Sequence, residues 1–377
     1  MTGRTALVIG GTGPTGPHIV DGLLDRQFDV TVFHRGIHEV DFAQEVEHLH
    51  GDPHFHESAE ALLSNREFDV VVATYGRTRL LAEVLAHRCE QFIGIGSVTI
   101  YRGASDPESW RPSGTRILAK EESELVDLPT DSPLESVRFR SKIRATETEV
   151  MELGESGAFS ATYYRYPIIY GPRNIIPWEW SVVRRVADDR RFIMVHDEGL
   201  NLKTRICGRN AAHAVLLAVD NPKTAAGQIY NCGDDDQFSL RGWLELLIEA
   251  TGGSLEIVSL PKSIASPSWA LMPLYSSGAP HMYVDTSKIK SELGYSDVIS
   301  TSEALAEAVE WYRRNPVTAE THKGILDKFD YALEDALLRA YQGAIEEIRQ
   351  KFSIEMPEVY HPYPHPKLPN ERDHRDR

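Results

Sequence analysis

The chain has 377 residues, of which 41% are hydrophobic and 25% are charged, proportions typical of a globular protein and not of a disordered or fibrous one. Its 40 lysines and arginines against 56 aspartates and glutamates give a formal net charge of −16. This charge disfavours nucleic acid and anionic membranes as partners, because both are negatively charged. The apolar runs are all shorter than the roughly 20 residues that cross a bilayer.

Short β-branched runs alternate with helical patterns over the first 160 residues. This alternation predicts βαβ units, and therefore a parallel sheet with helices on both faces. The run Val70-Val71-Val72 is apolar throughout, as in a strand that is buried on both sides. The predicted strands are Ala6–Ile9, Asp29–Phe33, Val46–His50, Asp69–Ala73, Gln91–Ile95 and Ala161–Tyr166, and the predicted helices are Pro17–Arg26, Arg77–Cys89 and Glu135–Leu153.

The pattern becomes less regular from about Gly171. Residues 261–280 are rich in proline, serine and glycine and are predicted to form a loop. The helices predicted in this part are Trp180–Asp188, Ala211–Asp220, Ser239–Thr251 and Ser302–Asn315, and the strands are Phe192–Val195 and Ile229–Cys232.

Residues 316–377 form a C-terminal extension. Between Ile325 and Phe352 apolar residues recur at three- and four-residue steps, which predicts one long amphipathic helix. Its apolar face could pack on the rest of the protein or form a homodimer contact. The proline-rich tail after Met356 contains His361 and His365, which we interpret as a solvated, extended segment.

The three cysteines, Cys89, Cys207 and Cys232, are far apart and include no CxxC pair. Such a set is typical of a reducing compartment and provides no paired-cysteine zinc site. The apolar run at residues 5–9 is too short for the core of a signal peptide. We therefore predict a cytoplasmic protein, and we identify no metal site in the sequence.

A glycine-rich loop directly follows the first predicted strand and opens the first helix. Glycine permits a tight turn and lets backbone N–H groups approach a pyrophosphate, while the helix N-terminus supplies partial positive charge. The strand–loop–helix context makes this a specific signal for a dinucleotide. The loop residues predicted to bind the cofactor are Gly10, Gly11, Thr12, Gly13, Pro14, Thr15 and Gly16.

The end of the second predicted strand bears on the choice of cofactor. Folds that bind NAD usually place an acid there to accept from the ribose 2′-hydroxyl. Here the residues are His34 and Arg35, and an arginine is a ready partner for a 2′-phosphate. We therefore predict NADP(H) in preference to NAD(H). Asp52, after the third strand, could accept from the adenine amino group or form a simple turn.

Several segments together resemble the NAD-dependent epimerase/dehydratase family of extended short-chain dehydrogenase/reductases, over roughly residues 4–315. This resemblance implies a doubly wound Rossmann-type parallel sheet at residues 1–170, a smaller substrate-binding domain at 171–315 with strands returning to the sheet, and an extra C-terminal helix. The segments that carry it are Gly10–Gly16, Gly51-Asp52, Ser97–Tyr101, Arg165–Arg173 and Val195–Gly199.

The resemblance also implies catalytic positions. Ser97 matches the family's catalytic serine or threonine, and Lys142 matches the lysine of its YxxxK pair, which holds the nicotinamide ribose. Tyr166 and Pro167 match the segment that closes the cofactor pocket. Arg138 stands where that pair has its tyrosine. Another group would then donate the proton, with Tyr101 favoured, or Arg138 could stabilise an oxyanion.

The predicted substrate domain departs from the family at Arg209-Asn210, where relatives usually carry two aspartates. Asn210 could still cap the following helix. Arg205 and Arg209 add positive charge, which favours an anionic substrate. Trp178 and Trp180 could instead line an apolar cleft for an aromatic substrate, or lie in an interdomain core. Four residues of the 261–282 segment fit the same two readings, namely Trp269, Met272, Tyr275 and Met282.

These observations predict an NADP(H)-dependent oxidoreductase acting on a carbonyl or secondary alcohol of a small molecule, with an atypical proton donor. Two alternatives stay open. One is an isomerase or lyase that recycles a bound nicotinamide cofactor. The other is a catalytically silent protein that senses NADP(H), an alternative that the missing tyrosine favours.

Overall fold

The computed structural model describes residues 3–37, 39–104, 106–128, 131–264, 281–318, 320–322, 327–352, 368–372 and 376. The chain forms two compact units, Met1–Phe329 and Asp330–Arg377. The predicted domain limits at 170 and 315 both fall within the first unit and stay predictions. Five residues singled out in the sequence lie outside the described part of the chain, namely Trp269, Met272, Tyr275, His361 and His365.

The strands and helices of the described residues follow one another in largely alternating order. The strands are β1 Arg4–Ile9, β2 Phe28–His34, β3 Glu47–His50, β4 Phe68–Ala73, β5 Cys89–Ser97, β6 Ser160–Tyr166, β7 Ile168–Tyr170, β8 Phe192–His196, β9 Arg205–Cys207, β10 Gln228–Asn231 and β11 Glu256–Leu260. The helices are α1 Gly16–Asp25, α2 His56–Leu63, α3 Thr78–Val84, α4 Glu135–Glu155, α5 Trp180–Ala187, α6 Gly208–Asp220, α7 Pro222–Ala225, α8 Leu240–Thr251, α9 Ser287–Leu293, α10 Thr301–Arg314 and α11 Tyr331–Lys351.

A seven-stranded sheet forms the centre of the first unit. Its strands lie in the order β10-β6-β5-β4-β1-β2-β3, and every neighbouring pair is parallel. The strand order reverses between β4 and β1, which creates the switch point where doubly wound sheets bind ligands beyond the carboxyl ends of their strands. This arrangement confirms the predicted Rossmann-type fold.

Helices cover both faces of the sheet. Ala6 and Val8 of β1 pack with α1, α6 and α9 on one face, whereas Leu7 and Ile9 pack with α2, α3 and α4 on the other. Burial on both sides explains why the central strands are apolar throughout. The predicted helix Arg77–Cys89 is too long, because the chain takes a left-handed φ of +60° at His87 and β5 begins two residues later.

A second lobe follows β7 and has its own core. Helices α5, α8 and α10 pack around two short parallel pairs, β8 with β11 and β7 with β9. Trp180 is buried in this core and Trp178 packs against it, which supports the interdomain-core interpretation of both residues. The pair β7–β9 connects the lobe to the end of β6, and therefore to the carboxyl edge of the large sheet.

The second unit contains α11, which confirms a helix within the predicted segment 325–352. It begins at Tyr331, after Asp330 accepts a hydrogen bond from the backbone N–H of Leu333. No described helix of the chain is both long and apolar enough to cross a membrane.

Candidate functional site

The glycine loop connects β1 to α1 at the switch point of the sheet. Gly10 has a φ of +89°, a conformation that glycine adopts without strain, and its carbonyl accepts from the N–H of Thr12 at 2.8 Å. A Cβ on Gly16 would lie 2.2 Å from the backbone of Gly11, so the first turn of α1 approaches the loop closely. A Cβ on Gly13, by contrast, would meet only a carbonyl oxygen at 4.0 Å.

This geometry fits a dinucleotide pyrophosphate. The open side of the loop at Gly13 leaves room for a ligand, and α1 begins directly behind it at Gly16. Backbone N–H groups at the start of a helix carry partial positive charge and have no partner within the helix. Thr15, the residue before α1, is buried and makes no side-chain cap, which leaves those N–H groups for a ligand.

Arg35, which follows β2, lies beside Tyr75, which follows β4. Arg35 is exposed, and its guanidinium carbon lies 5.6 Å from the ring centre of Tyr75. Among the described residues Arg35 forms no salt bridge, so its charge faces solvent beside the loop. Its neighbour His34 is buried, and its Nε2 lies 2.8 Å from Nδ1 of His48. His34 therefore points towards β3 and not into the space above the loop.

Asp52 forms a turn with His54. Its Oδ1 accepts from the backbone N–H of His54 at 3.0 Å and lies 2.8 Å from the ring Nδ1 of the same residue. The hydrogen bonds from His54 lower the pKa of Asp52. These contacts agree with the turn reading of Asp52, and a contact with adenine stays a proposal.

Ser97 ends β5 at the carboxyl edge of the sheet. Its Oγ accepts from the backbone N–H of Thr99 at 3.2 Å and lies 3.0 Å from the Thr99 hydroxyl. Both side chains are half-buried. In the strand register Ser97 stands beside Tyr166, whose hydroxyl donates to the carbonyl of Ala211 at 3.0 Å. The Ser97 and Thr99 hydroxyls thus lie together at this edge of the sheet, whereas Tyr166 is buried in the core beside them.

Tyr101 belongs to a buried network below this edge. Its hydroxyl donates to Oδ1 of Asn231 at 2.8 Å and accepts from Arg165 at 2.9 Å. Burial raises the pKa of Tyr101 to about 12, even though the charge of Arg165 lowers it. Tyr101 is only 2% exposed and its hydroxyl already has two partners. Both observations disfavour it as the proton donor, a role that stays a prediction.

Lys142 and Arg138 lie on the outer face of α4. The rotation of the helix is fixed by Glu147, whose carboxylate binds Arg165 of β6 with two hydrogen bonds. At about 100° per residue, Lys142 is turned about 140° and Arg138 about 180° from Glu147. Both are exposed, and Arg138 donates to two carbonyls of the preceding loop. The roles predicted for Lys142 and Arg138 at the site stay predictions.

Phe139 and Ile143 follow Arg138 and Lys142 by one residue each on this half of α4. Phe139 is 61% exposed and Ile143 is half-buried. Glu149, turned about 200° from Glu147, lies on the same face of the helix as Lys142 and Arg138, and it pairs with Arg79 of α3 at 3.1 Å.

Three buried cations lie on the second lobe's side of this edge. We call Arg140, Lys203 and Arg205 the cationic cluster; each is at most 7% exposed. Arg205 begins β9. Lys203 stands two residues earlier, and its backbone forms an isolated parallel β-bridge with Met282. Met282 packs with Val98, directly after Ser97. The cationic cluster is therefore linked to the serine end of β5.

The charges of the cationic cluster repel one another. Burial, followed by the charges of Arg205, Lys262 and Arg140, lowers the pKa of Lys203 to about 8. Burial also lowers the pKa of Arg205 to about 10. The Arg205 guanidinium lies 5.1 Å from the ring centre of Trp243. Buried like charges of this kind attract an anion, which would relieve their repulsion.

Arg209 and Asn210 lie away from the cationic cluster. Arg209 is exposed and pairs with Glu307 at 3.0 Å. Of the two arginines expected to favour an anionic substrate, only Arg205 is buried. Asn210 is not the cap of α6; the cap is Cys207, whose sulfur accepts from the Asn210 N–H. The Asn210 side chain instead donates to Asp234 at 2.8 Å, because the helix begins at Gly208, three residues earlier than predicted.

Four side chains beside the end of β2 form a group that the sequence analysis did not identify. Their ligand atoms all lie within 4.8 Å of one another. The group, named here the histidine cluster, consists of His34, Glu39, His48 and His50. The only sequence signal for it was the density of histidines between 34 and 50, since no metal-binding spacing is present.

Comparison with known proteins agrees with this arrangement. The chain is 24% identical over 245 residues to a dTDP-glucose 4,6-dehydratase of Actinoplanes sp., an alignment that spans 64% of this chain and 65% of that protein. It is 21% identical over 338 residues to a UDP-N-acetyl-alpha-D-glucosaminuronate decarboxylase of Bacillus cytotoxicus, which covers 82% of this chain and 98% of the relative.

Solved structures share the fold. A UDP-glucose 4-epimerase of Thermotoga maritima with UDP-glucose superposes with a TM-score of 0.65 at 17% identity, over 83% of this chain and 99% of that one. A UDP-glucuronic acid 4-epimerase of Bacillus cereus with UDP-glucuronic acid and NAD gives 0.64 at 17% identity, over 83% and 100%.

The family model for NAD dependent epimerases and dehydratases matches residues 6–233, more than half of the chain. This segment includes the glycine loop, Ser97, α4 and the cationic cluster. The match confirms the resemblance inferred from the sequence. The chain therefore belongs to the NAD-dependent epimerase/dehydratase family of enzymes.

Proposed function

We propose that the chain is a nicotinamide-dinucleotide-dependent enzyme that acts on a carbonyl or secondary alcohol of a small anionic molecule. The observation that carries this proposal is the common edge of the sheet, where the glycine loop, the Ser97–Thr99 hydroxyls and the buried cationic cluster all meet. When bound, the nicotinamide ring supplies or accepts a hydride. The remaining tasks, which are binding, orientation and proton transfer, belong to the side chains.

The residues of the chain divide these tasks by position. The glycine loop and the start of α1 hold the pyrophosphate. Ser97 and Thr99 hydrogen-bond the reacting oxygen of the substrate, and the cationic cluster holds the substrate's anionic group. The proton passes through the Ser97–Thr99 hydroxyl pair to solvent, since Arg138 stands where the family has its tyrosine.

Arg35 supports a preference for NADP(H), as a cation that faces solvent at the end of β2. A hydrogen bond between charged groups contributes about 1.5–3 kcal/mol, so Arg35→Ala is expected to weaken NADPH binding about 10–100-fold and to leave NADH binding nearly unchanged. Fluorescence titrations of the wild-type and variant proteins with both cofactors measure this. Equal affinity of the wild-type protein for NADPH and NADH would contradict the preference.

The cationic cluster supports a phosphorylated substrate. Its members are buried, and they lie on segments of the second lobe and on α4. The relatives named above include enzymes of UDP- and dTDP-linked sugars, so nucleotide sugars are the first candidates. UDP-glucose, which carries a diphosphate, is the probe we would use.

Anion binding at Lys203 is expected to depend on pH. Below pH 8 the Lys203 ammonium is retained and attracts the diphosphate, whereas its charge is lost as the pH rises through about 8. The affinity for UDP-glucose should therefore fall above pH 8, and Lys203→Met should weaken binding about 10–100-fold and remove the pH dependence. Calorimetric titrations from pH 6 to pH 9.5 test this.

A matched control is Lys223→Met, which removes an exposed lysine at α7, near the opposite edge of the sheet. That variant should bind UDP-glucose as the wild-type protein does, with the same pH profile. If both lysine variants lose affinity equally, the effect is one of overall charge and the assignment of Lys203 is wrong.

A second candidate function is supported by α4. Because Arg138 stands where the family has its catalytic tyrosine, the chain could bind the cofactor and the anion without net turnover, as a sensor. An isomerase or lyase that recycles its cofactor stands between these two functions, in keeping with the epimerase, dehydratase and decarboxylase relatives. Retention of a cofactor that resists exchange would favour the recycling enzyme, and binding without any hydride transfer would favour the sensor.

Two further parts of the proposal concern the cellular location and the oligomeric state of the protein. All three cysteines are buried and unpaired, which supports a cytoplasmic location because disulfides are rare there. The homodimer suggested by the apolar face of α11 also stays a proposal, and sedimentation of the full chain would test it.

A further inference from the structure

The histidine cluster lies at the carboxyl end of β2 and along β3, beside the proposed cofactor site. The two strands are parallel, with His34 opposite His50 and Val32 opposite His48. Side chains two residues apart on a strand share a face, so the three imidazoles are brought to one side of the sheet. Glu39 reaches them from the connection between the strands.

The ligand atoms of the four residues lie close enough together to share one ion. The Oε2 of Glu39 lies 3.8 Å from Nε2 of His34 and 3.5 Å from Nδ1 of His48, and its Oε1 lies 3.4 Å from Nε2 of His50. Zinc bonds of about 2.0–2.1 Å to nitrogen and oxygen separate neighbouring ligands by about 3.3–3.4 Å. The contacts of Glu39 are near this spacing, whereas the 2.8 Å between His34 and His48 would have to widen.

The chemistry of the ligands is also suitable. Imidazole nitrogen and carboxylate oxygen are the ligands, besides cysteine sulfur, that zinc takes in proteins. Glu39 forms no ion pair with a lysine or arginine among the described residues, so its charge is directed to the imidazoles alone.

We propose that the histidine cluster is a zinc site of three imidazoles and one carboxylate, which fixes the β2–β3 connection to the sheet. The four protein ligands would complete the coordination, as in structural zinc sites. His34 is buried, while Glu39 and His50 are exposed, so the ion can enter from solvent. The site is independent of the proposed reaction, because neither the substrate nor the reacting atoms take part in it.

Zinc binding requires a small rearrangement at His34. In the metal-free chain its Nε2 and Nδ1 of His48 share one hydrogen bond at 2.8 Å. Ligation through Nε2 moves the ring proton to Nδ1 and turns away the backbone N–H of Gly36, which lies 3.3 Å from Nδ1. Gly36 has a positive φ of 69°, and glycine reorients there with little steric cost.

The test uses the full chain after treatment with a chelator. Zinc is titrated in competition with a chromogenic chelator, and one ion per chain is expected. Glu39→Gln alters an exposed side chain of the connection, and His48→Ala/His50→Ala removes two ligands. Each should weaken zinc binding by at least the roughly 10–100-fold that loss of an outer-shell partner costs. Circular dichroism shows whether each variant is folded.

Two control variants remove histidines outside the cluster. His54→Ala affects the turn at Asp52, and His361→Ala/His365→Ala affects the tail; both should keep the wild-type affinity. Cobalt(II) in place of zinc should give the intense visible absorption of a four-coordinate ion. A wild-type chain that binds no zinc, a Glu39→Gln variant that binds it unchanged, loss of binding in the tail variant, or the weak spectrum of six-coordinate cobalt would each overturn the proposal.

Discussion

Replacing Glu147 by glutamine is expected to lower the free energy of unfolding by about 3–5 kcal/mol, the cost of leaving one charge of a buried pair without its partner. The Glu147 carboxylate binds Nε and Nη2 of Arg165 at 2.8 and 2.7 Å. The Glu147 and Arg165 side chains are 5% and 2% exposed. Arg165 also holds the Tyr101 hydroxyl, so the loss would extend to the network beneath Ser97.

The matched control is Glu149→Gln, which makes the same change two residues further along α4. Its carboxylate pairs with Arg79 on the surface, where an ion pair contributes about 0–1 kcal/mol. Urea unfolding of both variants measures the difference. Equal midpoints for Glu147→Gln and Glu149→Gln would mean that the buried pair does not fix α4 to β6, and the rotation assigned to the helix would lose its basis.

Replacing Gly13 by alanine is expected to abolish most cofactor binding while leaving the fold intact. An added Cβ would meet no protein atom closer than 4.0 Å, but it would occupy the space in which the pyrophosphate approaches the loop. Displacing two hydrogen bonds to a charged group costs about 3 kcal/mol or more, which corresponds to a loss of affinity of about 100-fold or greater. Thermal unfolding and cofactor titration of one preparation measure both properties.

Gly16→Ala provides the contrast. Its Cβ would lie 2.2 Å from the Gly11 backbone, so the substitution should lower the melting temperature as well as the affinity. A Gly13→Ala variant that binds NADPH and NADH as tightly as the wild-type protein would show that the open side of the loop does not receive the pyrophosphate.

The large sheet could be predicted from the sequence because each of its strands has a local signal. Unbroken apolar runs indicate β1 and β4, and the glycine loop indicates where β1 ends and α1 begins. These features depend on neighbours within a few residues. The limits of α3 were wrong because its end is fixed by the turn at His87, which no strong breaker residue announces.

The catalytic half of the site could not be predicted in the same way, because it depends on the rotation of α4. A shift of one residue along a helix turns a side chain by about 100°. The contact between Glu147 and Arg165, eighteen residues apart, fixes this rotation. It buries Glu147 and leaves Lys142 exposed. Only a tertiary contact carries that information.

Tyr101 and the histidine cluster show the same dependence on tertiary structure. Tyr101 follows Ser97 closely in the sequence, yet Asn231, 130 residues away, holds its hydroxyl inside the fold. The histidines become neighbours through the pairing of β2 with β3, which aligns His34 with His50. In both cases the residues were visible in the sequence, and their partners were not.

The most direct test of the central claim is a fluorescence titration of the purified full chain with NADPH and NADH in parallel, after any cofactor that co-purifies has been identified. The account predicts saturable binding of a nicotinamide dinucleotide, tighter for NADPH, and an absorbance change at the nicotinamide band when an oxidisable or reducible anionic substrate is added. Binding of neither cofactor, by a chain that is folded and free of retained nucleotide, would contradict it.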